Sequence, residues 1–150
     1  GDDQARFTLP DTEIVSRVIE GQYPDYQQII PTAWATKVTC SREELLANVR
    51  ATSLFCKAGI NDVTVSIDPA EKTIHLSAAN TQLGEHAASL TAEIEGAPLS
   101  GVFNYRYLLD GIQSLGGDLI TIELQDQNAP AVLRSPDRKD ALYLLMPIRQ

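Results

Sequence analysis

One order of elements is written twice along this chain, and it limits the possible folds more than any other feature. Ser41, Arg42, Glu43 and Glu44 have the form S-x-x-E, in which serine and glutamate reciprocally satisfy the first exposed amides of a helix. Leu45, Leu46, Val49 and Ser53 then recur at three- and four-residue spacing, so the spacing predicts a helix running to about Cys56, with Gly59 beyond its end. A strand, ATKVT over 35–39, precedes this helix. Three follow it: DVTVSI with Val63, Val65 and Ile67 alternating, KTIHLSA with Ile74 and Leu76, and ASLTAEIE with Leu90 and Ile94. The order then returns. LSGVFN reads as a strand, Asn104 can cap a second helix carrying Leu108, Ile112 and Leu115, and Gly116 and Gly117 end it. LITIEL, AVLRS and ALYLLMP are three further strands. A strand-helix-strand-strand-strand unit therefore spans about 35–95 and again 98–146. The predicted fold class is α+β, with both helices packed on one side of antiparallel sheet.

The first thirty residues lie outside this scheme. ARFTLPDTEIVSRVI reads as a hairpin turning at Pro10 and Asp11, with Phe7, Leu9, Ile14 and Val18 as its apolar positions. A lone hairpin is marginal in water and needs a sheet to join. The connector after it, VIEGQYPDYQQIIP, is bracketed by Pro24 and Pro31. Each proline fixes its own φ and pushes the preceding residue away from helix, so 23–31 should be extended or turn-like. A flexible linker would be rich in Gly and Ser, whereas Tyr26, Ile29 and Ile30 require something to pack against.

Length and composition narrow the function classes. A chain of 150 residues buries about 70% of its unfolded surface and needs no metal or disulfide staple. Cys40 and Cys56 have no further Cys or His at ligand spacing and read as packed free thiols. A formal charge of −8 argues against a broad basic surface, and no apolar run approaches a membrane span, so the chain reads as soluble and intracellular. It opens with Gly1 rather than Met, as a processed or excised chain would. His75 falls in mid-strand and His86 in or near a loop, without carboxylate or thiol partners at ligand spacing. Asp62, Asp68 and Asp110 are spread over separate elements, where turn or surface roles suffice. Neither a nucleophile elbow nor a phosphate loop occurs, so no active site is read here. By alternation and helical spacing alone, Tyr107, Leu144 and Met146 would be packing residues.

Three stretches in order, GQYPDYQQIIP, FNYRYLLDGI and the terminal YLLMPIR, resemble the bacterial sliding clamp family, the beta subunit of DNA polymerase III. The resemblance covers nearly the whole chain. It implies three similar domains per subunit and two subunits closing head to tail as a homodimeric ring around duplex DNA. On that reading residues 1–23 are the last hairpin of the middle domain, 24–31 the interdomain connector and 32–150 the third domain. The implied function is non-catalytic and cofactor-free: an accessory processivity factor of a nucleotidyltransferase holoenzyme, holding DNA polymerase on DNA. The clamp would also bind linear motifs of the Gln-Leu-x-Leu-Phe kind on polymerases, clamp-loader subunits and repair proteins.

Carried onto this sequence, the resemblance puts Pro24, Gln28 and Ile29, then Ile60, then Asn104 and Tyr107 in the peptide pocket. Leu144, Leu145, Met146, Pro147, Ile148 and Arg149 would complete it. Gln27 and Gln28 stand where the family often has basic residues, and Gln150 where a final leucine is common. Leu54 and Phe55 match the ring interface, so an isolated fragment should be monomeric. Arg50 and Lys57, two helical turns apart, and Arg106 would face DNA phosphate, with ordinary surface charge as the alternative. A small α+β enzyme domain with an unrecognised site is the rival class, and a stand-alone peptide-binding domain a third.

Overall fold

The computed structural model describes residues 3–149; the readings placed on Gly1 and Gln150 lie outside them. The amino-terminal hairpin, β1 (Gln4–Leu9) and β2 (Thr12–Arg17), forms with Phe7 opposite Ile14, as the turn residues predict. It joins no further strand here. It stands as a separate two-stranded sheet with Phe7, Leu9, Ile14 and Val15 about half exposed. The connector is not extended throughout: Asp25 caps a short 3-10 turn over Tyr26–Gln28, and Tyr26 and Ile29 remain exposed.

From residue 36 onward the doubled order appears as read. The first unit comprises β3 (Thr36–Ser41), α1 (Arg42–Ser53), β4 (Asp62–Asp68), β5 (Thr73–Asn80) and β6 (Gly84–Gly96). The second comprises β7 (Leu99–Asn104), α2 (Tyr105–Leu115), β8 (Leu119–Leu124), β9 (Ala131–Ser135) and β10 (Arg138–Leu145). The eight strands form one antiparallel sheet in the order β10-β9-β8-β3-β6-β5-β4-β7. Each unit lends its opening strand to the other: β3 pairs with β8, Cys40 opposite Ile120, and β7 pairs with β4, Phe103 opposite Val63. The helices touch each other and cover one side of the sheet. Leu45 and Val49 of α1 and Leu108, Ile112 and Leu115 of α2 join Val38, Val63, Ile74, Leu76, Ile120 and Leu133 in a single core.

Helix starts follow the capping residues. The Ser41 hydroxyl accepts the Glu44 amide at 3.3 Å, and the Asn104 side chain accepts the Arg106 amide at 3.0 Å. Three boundaries differ from expectation for identifiable reasons. Helix α1 ends at Ser53 rather than near Cys56, because the amides of Leu54, Phe55 and Cys56 turn back to the carbonyls three residues earlier. Strand β6 begins at Gly84, four residues before the expected start at Ala88. A tight turn lets Asn80 pair with Gly84 and Ala78 with His86, so His86 is a strand residue and not a loop residue. Strand β10 ends at Leu145, as Pro147 has no amide to continue a ladder.

Strand β6 also turns a corner. Its residues 84–91 pair with β5, while 92–96 pair with β3, Thr36 opposite Gly96. In the second unit the corresponding approach of the tail to β7 is made by one bond, from the Ile148 amide to the Val102 carbonyl at 2.7 Å.

Candidate functional site

Strand β7 runs directly into α2, and three contacts gather side chains at that junction. The Tyr105 amide donates to the Asn61 carbonyl at 2.9 Å, tying the start of α2 to the loop after α1, where Asn61 adopts a φ of 59°. Asp62 is the cross-strand partner of Asn104. Ile60, Asn104 and Tyr107 thus share one end of the domain, and the bond from Ile148 to Val102 brings the tail to the same end. Ile60 is 49%, Met146 50% and Tyr107 56% exposed, so Tyr107 and Met146 are not the packing residues that periodicity suggests. These three apolar side chains are uncovered, and backbone hydrogen bonds tie the segments that carry them to this end.

Under Tyr107 lies Tyr143. Tyr107, Asp110 and Gly111 fall on one stripe of α2, and the absent side chain at Gly111 admits the Tyr143 ring, on which an added Cβ would stand 2.6 Å from Cδ1. Burial, and then the neighbouring Asp110 and Tyr107, push the Tyr143 hydroxyl above its ordinary pKa.

Other positions behave differently. Leu145 is 3% exposed and belongs to the core, and Pro147 is also buried, so both are packing residues rather than contact surface. Leu144 is half-buried and points to the opposite face of β10, where its cross-strand partner is Val132. Ile148 is half-buried and Arg149 exposed. Pro24, Gln28 and Ile29 are exposed on the connector and held locally, Gln28 Nε2 donating to Asp25 Oδ2 at 2.9 Å and the Ile29 amide to the Tyr26 carbonyl at 3.1 Å. The connector's far end does reach the sheet, since Pro31 and Trp34 line a cleft with Val132 on the face that carries Leu144. Val132, Tyr143 and Trp34 were not singled out from sequence. Alternation in AVLRS and ALYLLMP could have flagged the first two, but only the register shows what faces them.

The surface at the end of α1 is more built than sequence suggested. Leu54 is 71% exposed, while Phe55 is half-buried and stacks on His86 with ring centroids 5.4 Å apart and planes 14° apart. His86 Nδ1 lies 3.2 Å from the Thr52 hydroxyl. Beside them, residues 84–91 of β6 pair on one edge only, with β5. Arg50 and Arg106 are exposed, Arg106 lying 5.9 Å over the Tyr105 ring. Lys57 departs from expectation: it lies past the end of α1, so it shares no helical face with Arg50, and its amide donates to Asp62 Oδ1 at 3.4 Å.

A concavity of about 620 Å³ lies beside Lys57, Asp62, Thr64, Glu85 and His86. Its size does not make it a reaction site. Among the described residues no three His, Cys, Asp or Glu side chains gather to hold a metal. Burial, then Glu44, pushes the Cys40 thiol up to about 12, and burial, then Asp62, pushes Cys56 up to about 11, so neither is an activated nucleophile. His75 sits between hydroxyls, 3.0 Å from Thr73 and 2.8 Å from Ser89, with no carboxylate among these partners to orient it as a base. Asp68 accepts the amides of Ala70 and Glu71, a turn role. Among the described residues no helix is long and apolar enough to cross a membrane.

Residues 27–149 match the family described as DNA polymerase III beta subunit, C-terminal domain. The chain is 33% identical over 146 residues to the beta sliding clamp of Synechococcus elongatus, covering 97% of this chain and 39% of that protein. With the Bacillus subtilis beta sliding clamp it shares 29% over 148 residues, with the same coverage of 97% and 39%. Among solved structures, the sliding clamp of Bartonella birtlesii bound to griselimycin superposes with a TM-score of 0.92 at 30% identity, over 100% of this chain and 40% of that one. The beta subunit of Thermotoga maritima gives 0.90 at 26%, over 99% and 40%. The chain spans about two fifths of the length of these relatives. With nearly the whole chain matched in sequence and in the path of its backbone, it belongs to the DNA polymerase III beta subunit family, in which residues 27–149 correspond to the C-terminal domain.

Proposed function

We propose that the chain works as the C-terminal domain of a replicative sliding clamp in the cytoplasm, a non-catalytic processivity factor that docks linear peptide motifs of polymerases, clamp-loader subunits and repair proteins. The observation that carries this reading is the exposed apolar cluster of Ile60, Tyr107 and Met146, brought to one end by the bonds from Tyr105 to Asn61 and from Ile148 to Val102. Such a cluster, with the amide of Asn104 beside it, suits an apolar anchor fixed by a few polar contacts. Residues 1–23 then belong to a preceding domain, which explains the uncovered apolar residues of the β1–β2 hairpin. Residues 24–31 set the angle between that domain and 32–150, and Pro24, Gln28 and Ile29 complete the pocket only when the preceding domain fixes the connector. Ring closure uses Leu54, Phe55 and the unpaired edge of β6 against a second subunit. Duplex DNA is held by encirclement, with Arg50 and Arg106 as the exposed cations of the helical side.

The test is a two-dimensional NMR titration with a peptide carrying Gln-Leu-x-Leu-Phe and with a version whose leucine and phenylalanine are alanine. Burying two such side chains contributes about 1.5 to 3 kcal/mol each, less the cost of association, so a dissociation constant of roughly tens of micromolar to millimolar is expected. Shifts should cluster at Ile60, Tyr107, Met146 and Ile148, and Met146→Ala should weaken them. Identical shifts from both peptides, or shifts centred on His75, would overturn the assignment.

A further inference from the structure

We propose that Asp110, with Tyr107 and Tyr143 beside it, forms a cation subsite at the rim of the peptide pocket, taking a lysine or arginine that flanks the leucine-phenylalanine anchor of a bound motif. The proposal rests on the pocket reading above and names a further preference of the same site. Its geometry comes from α2. Asp110 and Gly111 follow Tyr107 by three and four positions, so the three share one stripe, and the Tyr143 ring packs where Gly111 has no side chain. Asp110 thus lies about 4.5 Å of helical rise beyond Tyr107. An extended peptide advances about 3.3 Å per residue, so a chain whose anchor touches Tyr107 carries a residue within about two positions past Asp110.

The chemistry of the three groups selects the occupant. Arg106 stands one turn before Asp110 on α2 but is engaged elsewhere: its Nε donates to the Tyr105 hydroxyl at 3.4 Å, and its guanidinium lies 5.9 Å over that ring. Among the described residues no cation lies within ion-pair distance of the exposed Asp110 carboxylate. Burial, then Asp110 and Tyr107, raise the pKa of the half-buried Tyr143 hydroxyl, which therefore stays a neutral phenol next to the carboxylate. Asp110 accepts and does not donate, and each phenol oxygen can accept as well. An ammonium or guanidinium brings what this set lacks, several donors and a positive charge, and the exposed Tyr107 ring offers it an aromatic face. A glutamate at the same place would meet a like charge. Because the chain carries −8 overall, any basic peptide gains some attraction, so the mark of the subsite is dependence on Asp110 and on the position of the cation.

The test titrates the 150-residue chain, followed by NMR, with peptides that carry Gln-Leu-x-Leu-Phe and differ only in their flanks: lysine before the core, lysine after it, glutamate in both places, or alanine in both. The two lysine peptides have the same charge, so any difference between them is positional. One of them should bind about three- to fivefold more tightly than the other, and the glutamate peptide should bind more weakly than the alanine peptide. Asp110→Asn, nearly isosteric on an exposed helix face, should erase the difference between the lysine peptides, and Asp110→Lys should reverse it. Equal affinity of the two lysine peptides, or a difference that survives Asp110→Asn, overturns the subsite, while shifts at Tyr107 and Met146 in the same titrations leave the pocket standing. If no peptide moves those resonances, the pocket reading fails and the subsite falls with it.

Discussion

Alanine at Gly111 sets two effects of opposite sign against each other. In an open helix interior the change favours the folded state by about 1 kcal/mol through helix propensity. Here the added Cβ would stand 2.6 Å from Cδ1, 2.9 Å from Cε1 and 3.0 Å from Cγ of Tyr143. Carbon atoms in good contact are about 3.5 to 4.0 Å apart, so the ring must retreat by roughly 1 Å from a face of α2 against which it is packed. Overpacking of this kind costs about 1 to 3 kcal/mol, which leaves a net loss of roughly 0 to 2 kcal/mol. The background Tyr143→Ala removes the obstacle, and there Gly111→Ala should stabilise by about 1 kcal/mol. Urea unfolding of the four chains measures both changes, and the sign reversal between backgrounds is the signature. If Gly111→Ala stabilises equally with and without the Tyr143 ring, the wedge of Tyr143 against α2 is wrong, and with it the seat assigned to Tyr107.

Three further outcomes are expected. Ser41→Ala and Asn104→Ala each remove a helix cap and should cost about 0.5 to 2 kcal/mol in the same unfolding assay, with Asn104→Ala alone also weakening the NMR shifts from peptide. Cys40 and Cys56 keep their protons when folded, their pKa values raised from 9.0 to about 12 and about 11, whereas unfolded thiols ionise near 9; their contribution is complete below about pH 9 and lost as pH rises through the folded values. A thiol reagent at pH 8 should accordingly react at the rate of unfolding, and instant labelling of either cysteine would contradict the burial. The chain alone should be monomeric at micromolar concentration by light scattering, and a tight dimer indifferent to Leu54→Ala with Phe55→Ala would count against the ring surface.

The doubled order was legible in sequence because its signals are local. Ser41 and Asn104 mark helix starts, and the alternation of Val63, Val65 and Ile67 marks a buried strand face, whatever the rest of the chain does. What failed depends on partners remote in sequence. Gly84, Glu85 and His86 look like a loop by composition, yet the hairpin register with Asn80 and Ala78 carries them into β6. Lys57 was placed on a helix whose last turn tightens and stops before it. In the tail, alternation separates Leu144 from Leu145 but does not say which faces the core, since β10 shifts register between Arg138 and Tyr143. The apolar patch was legible only in part for the same reason: Tyr107 and Met146 read as packing until the sheet order left them uncovered, alternation marks Tyr143 without saying what faces it, and Trp34 carries no periodic signal.

The exchange of opening strands between the two units has a kinetic meaning. Neither unit holds a complete set of sheet partners, because β8 has only β9 beside it until β3 arrives from some eighty residues earlier, Cys40 meeting Ile120, and β4 has only β5 until β7 arrives. Closing contacts that far apart is slow compared with forming α1 or the β5–β6 hairpin, so assembly should pass one late, shared barrier instead of two early ones. A chain cut between β6 and β7 should yield halves that are unfolded apart and fold when mixed, each acting as the other's template. The duplication has thus made two copies that can no longer be separated.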